Sequence, residues 1–381
     1  MAKKRTVYKY VPKEAKINER GRHFAAVSIK NFRCFKNFSM DSLERINLIG
    51  GMNNIGKTTL LEALFLLLGT TNGSSILKIN NFRGVDRFEG TSASIREALW
   101  NHLFYDFNNQ DTITIATELG IGGQIGISLK QISGIPITLP TSGSPRSKTT
   151  TDSSEVSAQA LQLQYKDLTG KTHRVELRVD STGVFIPSPV KEPLFQGIIH
   201  PARHRPSQLE LATRYGEYEL NMAENHYDLI EPLNVIEPRL KRISTIAGAS
   251  GPILYGDIGL KRILPLAVMG DGLVNLASFL LSISTASGGV VLIDEIENGL
   301  HYSSLVKVWR AIAEAARTYD TQVFATTHSW ECIKAAHEAF QSTSIYDFRY
   351  HRLQQKDDII EAKTIDQEQL QTIIESGWEI R

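Results

Sequence analysis

Three stretches of this sequence carry side chains suited to one piece of chemistry, the handling of a nucleoside triphosphate. The first reads Gly51-Met-Asn-Asn-Ile-Gly56-Lys57-Thr58. Its Gly-x-x-x-x-Gly-Lys-Thr spacing is that of a phosphate-binding loop. Glycines at 51 and 56 let backbone N–H groups and a helix N-terminus come close to an anion. Lys57 can reach the β- and γ-phosphates, and the Thr58 hydroxyl is a hard oxygen ligand for Mg²⁺. The second stretch, Gly289-Val-Val-Leu-Ile-Asp294-Glu295, is an apolar run ending in two carboxylates. Asp294 suits the metal, and Glu295 suits an attacking water that must be oriented or deprotonated. The third, residues 321–329, is another apolar run ending at His328. That imidazole is placed to donate to a γ-phosphate or to hold the water. Lys57, Glu295 and His328 are therefore the expected catalytic residues, Thr58 and Asp294 the expected metal ligands, and ATP with Mg²⁺ the expected cofactors.

Two further stretches read in two ways. Gly270-Asp271-Gly272 precedes an apolar helix pattern, so its N–H groups can meet a phosphate or simply cap the helix. One chain does not readily present two such loops to one nucleotide. A phosphate role thus implies a two-fold dimer, each copy completing the other's site. The basic run His200-Pro-Ala-Arg-His-Arg205 reads equally as a phosphate contact or as a surface loop.

Positioning these groups requires parallel strands that deliver them at their carboxyl ends. Ile46 to Ile49 supplies an apolar run for such a strand, and Leu60, Leu61, Leu64, Phe65 and Leu68 continue as a helix. Before it, the alternation from Phe24 to Phe35 predicts a strand, a turn and a second strand. A short helix is expected at 96–104. Residues 111–190 alternate with period two at 112–117, 124–129 and 173–179, which predicts an antiparallel β segment beside the nucleotide site. Within it, 133–157 is rich in Ser, Thr, Pro and Gly and reads as a mobile loop. Residues 207–250 read as helical, interrupted at Pro232 and Pro238, and 253–264 as a hairpin turned near Asp257-Ile-Gly259. Helices are expected at 301–318 and 331–340, then two strands and a last helix in 344–381. The fold class is thus α/β, a P-loop NTPase with a mixed or parallel core sheet, an antiparallel β subdomain and a helical subdomain. Its division is a basic tail at 1–22, a head at 23–343, and residues 344–381 completing that head.

Composition narrows the classes. With 41% apolar and 22% charged residues, the 381-residue chain has material for a sizeable core. A net charge of +1 excludes a protein that is basic throughout, though a local patch for nucleic acid remains open. Cys34 and Cys332 stand far apart, which gives no disulfide framework and suits a reducing cytoplasm. No apolar run reaches the roughly 20 residues of a membrane span. The basic N-terminus lacks the apolar core of a signal peptide and reads as a solvated tail or an arm on nucleic acid.

Taken in order, Asn-Phe-Arg-x-Phe, Gly-x-Asn-Asn-x-Gly-Lys-Thr, Gly-Asp-Gly, Leu-Ile-Asp-Glu-Ile-Glu-Asn-Gly-Leu-His and Thr-Thr-His-Ser resemble the ATPase of the OLD family. More distantly the set is similar to RecF and SMC heads, all of ABC type. The resemblance spans residues 24–340. It implies that Asn53, Asn54, Gly56, Lys57, Thr58 and Thr59 hold the nucleotide and that Asp294 and Glu295 are the Walker B pair. It further implies that Gly270, Asp271 and Gly272 stand where a signature motif acts in trans, that Asn298 lies in the D-loop, and that His328 is the switch histidine. The transporter signature Leu-Ser-Gly-Gly-Gln is absent, and Gln110 and Gln124 are the candidates for a Q-loop glutamine. Roughly fifty residues follow His328, too few for the Toprim nuclease domain of full OLD proteins. The resemblance implies a homodimer or higher homo-oligomer controlling a separately encoded effector, such as a Toprim-type nuclease, in DNA-related antiphage defence, with no membrane partner. The alternative is a RecF-like DNA clamp in repair.

Overall fold

The computed structural model describes residues 23–85, 92–135, 158–180, 183–202, 205–225, 227–249 and 251–377. The basic tail, most of the 133–157 loop, and Arg203 and His204 of the basic run lie outside the described residues. The chain opens with an antiparallel hairpin, β1 (Phe24–Phe32) and β2 (Phe35–Met40), followed by β3 (Ile46–Gly50). Helix α1 (Lys57–Gly69) leaves the glycine loop, and α2 (Ser74–Phe82) and α3 (Ser92–Leu99) follow it. Strands β4 (Ile113–Leu119), β5 (Gln124–Ile135), β6 (Ala158–Lys166), β7 (Thr172–Asp180) and β8 (Gly183–Phe185) form an antiparallel meander. Next come β9 (Gly197–His200), α4 (Gln208–Asn225), α5 (Ile230–Leu233), β10 (Arg242–Gly248), β11 (Gly251–Asp257) and β12 (Leu264–Pro265). The last third holds α6 (Asp271–Thr285), β13 (Val290–Ile293), α7 (Leu305–Thr318), β14 (Gln322–Thr326), α8 (Trp330–Gln341), β15 (Phe348–Lys356), β16 (Ile359–Ile365) and α9 (Gln367–Glu375).

Two large sheets sandwich α1. The six-stranded sheet runs β16-β15-β3-β14-β13-β9, with β3 parallel to both neighbours and only β16 antiparallel. Its central strands are buried on both faces, as parallel sheets demand. Ile46, Leu48, Val291, Ile293, Val323 and Ala325 pack towards α6, α7 and α8, whereas Ile49, Val290, Leu292 and Phe324 pack towards α1. A helix that is apolar all round has to be enclosed, and α1 is buried from Thr59 to Leu68. Helix α7 shows the contrasting pattern. Leu305, Val308, Trp309, Ile312 and Ala316 face the core at helical spacing, and its other face is polar.

The seven-stranded sheet, β2-β1-β4-β5-β6-β7-β8, joins the N-terminal hairpin to the β-rich segment through the β1–β4 pairing. The antiparallel segment expected beside the nucleotide site therefore extends the first hairpin's own sheet. Strand β5 runs on to Ile135, three residues into the stretch expected as loop, and pairs with β6, an element the sequence reading did not assign. The expected helix at 96–104 starts and stops earlier, at Ser92–Leu99. Residues 242–248, expected to be helical, are a strand, and the main hairpin turns at Gly248–Gly251 rather than near Gly259. Cross-strand partners win there over a helix that Pro232 and Pro238 had already broken. Strand β12 does return onto β11, through Tyr255↔Pro265 and Gly256↔Leu264.

Candidate nucleotide site

Strands β3, β13 and β14 end at one edge of the core sheet, so the three chemical stretches meet there. Register brings Ile293 opposite Ala325 and Ile49 opposite Thr326, which sets Asp294, Thr326 and the start of the glycine loop at one level. The loop leaves β3 through Gly51 at φ 139°, passes Asn54 at φ 62° and enters α1 through Gly56 at φ 100°. Glycine is required at 56 for two reasons. Its φ is unfavourable for other residues, and a Cβ there would sit 2.8 Å from the Cys34 Sγ. Met52, Asn53 and Asn54 are exposed at the loop's crest, whereas Thr59 is buried under it.

Lys57 Nζ donates to the carbonyls of Gly51 at 2.7 Å and Met52 at 2.9 Å, so its ammonium is folded back across the loop. Burial pushes its pKa below the ordinary lysine range, opposed by the negative charges of Asp294, Glu295 and Glu297. An incoming phosphate would offer this cation a better-matched partner than neutral carbonyls.

Asp294 is nearly enclosed, and both its oxygens are used. Oδ1 accepts from Thr326 Oγ1 at 2.6 Å and Oδ2 from Thr58 Oγ1 at 2.9 Å. The hydroxyl–carboxylate pair fits Mg²⁺: adjacent oxygens on an octahedral ion with bonds of about 2.1 Å lie roughly 3 Å apart. Mg²⁺ also takes most of its ligands from water and phosphate, so two protein oxygens suffice. Among the described residues there is no cluster of three or more His, Cys, Asp or Glu side chains arranged to hold a metal ion.

Glu295 follows in a left-handed conformation at φ 51°, unusual for a glutamate and costing about 1 kcal/mol or more. Its N–H donates to Thr326 Oγ1 at 2.8 Å, and its Oε2 accepts from Asn298 Nδ2 at 2.9 Å. The carboxylate is 39% exposed, open enough to meet water. His328 stands across from it, with Nδ1 3.1 Å from Glu297 Oε1 and 3.9 Å from Glu295 Oε1. Glu297 Oε1 also accepts from the His328 backbone N–H at 3.0 Å. Glu297 and Thr326 thus hold the site together, and sequence reasoning assigned neither. Thr326 was legible only as part of Thr-Thr-His, Glu297 only as the second acid after the strand.

The order of elements, a strand, a glycine loop and a helix, with Asp-Glu and histidine at neighbouring strand ends, decides the architecture. The fold is that of a P-loop ATPase. Two family models agree with it: "AAA ATPase domain" matches residues 24–174, and "AAA domain, putative AbiEii toxin, Type IV TA system" matches residues 165–331. A protein of Helicobacter pylori (strain ATCC 700392 / 26695) described as "ATP/GTP phosphatase" is 26% identical over 332 residues, 81% of this chain and 86% of that one. An uncharacterized protein of Methanocaldococcus jannaschii is 42% identical over 50 residues, 13% of this chain and 23% of its own length. Among solved structures, the SmcHead bound to the C-winged helix domain of ScpA aligns with a TM-score of 0.49 and 12% identity. That alignment covers 91% of this chain and 99% of that one. The SMC head domain from Thermotoga maritima gives 0.42 and 11%, covering 90% and 99%. The family models and the phosphatase relative support ATPase activity.

The remaining expected residues lie elsewhere. Gly270 and Asp271 are exposed at the start of α6, with Gly270 as its N-cap residue, and Gly272 is buried. Arg205, from the basic run, pairs with Asp271 at 2.8 Å and donates to the Ala267 carbonyl at 3.0 Å. Gln110 bonds to the Asn109 side chain, and Gln124 opens β5 opposite Glu118. No hydrogen bond joins either glutamine to the glycine loop among the described residues. No helix among these residues is long and apolar enough to cross a membrane.

Proposed function

We propose that this chain is an ABC-type ATPase of the OLD-like group that hydrolyses ATP with Mg²⁺ and acts as a nucleotide-dependent dimer. The observation that carries the reading is the meeting of Thr58, Asp294, Glu295 and His328 at neighbouring strand ends, with Thr58 bonded to Asp294 at 2.9 Å and His328 3.9 Å from Glu295. Asn53, Asn54, Gly56, Lys57, Thr58 and Thr59 hold the phosphates, and Thr58 and Asp294 hold Mg²⁺, which neutralises phosphate charge when bound. Glu295 orients the attacking water and accepts its proton, and His328 donates to the γ-phosphate. Glu295 is preset for this by Asn298 and Thr326, and His328 by Glu297.

Gly270, Asp271 and Gly272 have no nucleotide of their own to serve. The exposed position of Gly270 and Asp271 at the N-terminus of the long α6 supports a role on the ATP of a second copy. ATP then closes two copies head to head, and hydrolysis or release reopens them. Such a cycle does work only through a partner. In this reading it controls a separately encoded effector, a Toprim-type nuclease fitting best, in DNA-related antiphage defence.

Light scattering of Glu295→Gln protein tests the core of this. The expected result is a monomer without nucleotide or with ADP and a dimer with ATP and Mg²⁺, alongside a hydrolysis rate at least 100-fold below wild type. Constant mass in all three states overturns the dimer cycle, and wild-type hydrolysis overturns the role of Glu295. Steep salt-dependent binding of plain duplex DNA by the isolated protein would favour the RecF-like clamp instead.

A further inference from the structure

The first turn of α6 is seated directly on the loop that carries Glu295. A Cβ added to Gly272 would lie 2.6 Å from the Gly299 carbonyl oxygen, so only glycine allows this approach. Gly299 has φ 74°, and a Cβ there would lie 3.1 Å from Asn275 Nδ2 and 3.3 Å from Asp271 Cβ. Across this contact Asn275 Nδ2 donates to the Asn298 carbonyl at 2.9 Å. Asn298 faces the other way as well. Its own Nδ2 donates to Glu295 Oε2 at 2.9 Å, and its backbone N–H donates to the Glu295 carbonyl at 2.9 Å. A continuous chain of hydrogen bonds thus leads from the helix that begins at Asp271, through Asn275 and Asn298, to a carboxylate whose left-handed backbone needs outside support.

We infer that Asn275 is a positioning residue for hydrolysis: its side chain holds Asn298 so that Asn298 can aim Glu295. The inference rests on the reading of Glu295 as the group that handles the water. It adds that the aim is set from α6, so a displacement of the Asp271–Asn275 turn alters hydrolysis in its own copy without touching that copy's nucleotide. Orientation is costly to lose in catalysis, since a small misplacement of an acting group lowers rates by one to two orders of magnitude.

The test is steady-state ATPase kinetics on Asn275→Leu, which keeps the branched shape and removes the donor, and on Asn275→Gln, which keeps the amide. Asn275→Leu is expected to lower kcat by about 10-fold or more with KM for ATP within about threefold, and Asn275→Gln to recover part of the loss. Placed on Glu295→Gln, Asn275→Leu should change the residual rate less than twofold, because the group it aims is gone. A full kcat for Asn275→Leu, or a loss carried by KM, overturns the positioning role while leaving Glu295's role standing. An equal loss on both backgrounds also overturns it, marking Asn275 as a packing residue. Should Asn275→Leu fail to fold, Asn275→Ser supplies the same comparison. If Glu295→Gln hydrolyses ATP normally, the underlying reading falls and takes the inference with it.

Discussion

Glu62, one turn past the glycine loop, has no solvent exposure and is gripped from both sides. Arg33 Nη1 lies 2.7 Å from its Oε2, and Arg83 Nε 2.7 Å from its Oε1. Arg33 comes from the turn between β1 and β2 and is itself 12% exposed, while Arg83 follows α2 and is 41% exposed. One buried carboxylate therefore ties the β1–β2 turn and the segment after α2 to the base of α1. Removing it leaves Arg33 with a charge in a dry environment, and two of its guanidinium nitrogens already lack acceptors among the described residues. Glu62→Ala should destabilise the fold by about 3–5 kcal/mol, the usual result of stranding one member of a buried pair. Urea unfolding measures it, and a loss below about 1 kcal/mol would show that Arg33 relaxes to solvent. The pairing was not legible in the sequence, where Glu62 reads as one polar residue in an apolar helix.

At the scale of elements, β15 is docked on the P-loop strand by more than its backbone. His351, fully buried, lies 3.3 Å from Asn47 Oδ1 on β3 and 3.1 Å from Thr364 Oγ1 on β16. Burial, aided by the Arg349 charge, pushes its pKa down to about 3. The folded chain thus keeps it neutral, whereas the unfolded chain protonates it below pH about 6.5. Its contribution is complete above that value and is lost as pH falls towards 3, with a slope of up to about 1.4 kcal/mol per pH unit. His102, pushed down to about 4 chiefly by burial, acts in the same direction but is less enclosed. Urea midpoints at pH 7 and pH 5 should differ accordingly, and His351→Gln should flatten the difference. The strands that matter here were readable. Ile46–Ile49, Gly289–Ile293 and residues 322–326 are near-continuous apolar runs, broken only at Asn47, Gln322 and Thr326, as suits strands buried on both faces. What sequence could not give was pairing across distance. The alternation of β7 announces a strand, but nothing local says that β1 and β4 join two hairpins into one sheet. The 242–248 segment becomes a strand only because β11 lies beside it.

For the molecule as a whole, the exposed crest of the glycine loop and the exposed Gly270 and Asp271 at the start of α6 are the features a second copy could reach. If a second copy supplies the missing contacts, specific ATPase activity must depend on protein concentration. We expect it to rise with dilution reversed from nanomolar to micromolar and then reach a plateau. A flat profile down to the lowest measurable concentration would assign the full activity to a single copy. The placement of the candidate site was legible from order and spacing, since Gly-Lys-Thr, Asp-Glu and His each follow an apolar strand. Its supports were less so: Thr326, Glu297 and Asn275 act by geometry, and geometry between distant residues leaves no local pattern.

The placement of β3 has a consequence for the order in which the protein is made. Its two hydrogen-bonded neighbours are β14 and β15, so among the described residues Ile46–Gly50 pairs with 323–326 and 348–352. A ribosome must therefore add about 270 residues after the P-loop strand before the first of its partners exists. Through that interval an apolar strand waits unpaired, while the hairpin of β1 and β2 and the meander from β4 to β8 can form from local contacts. The nucleotide pocket is thus among the last features to form during synthesis. A nascent chain stalled short of residue 320 would hold chaperones on Ile46–Ile49 and gain no protection from ATP.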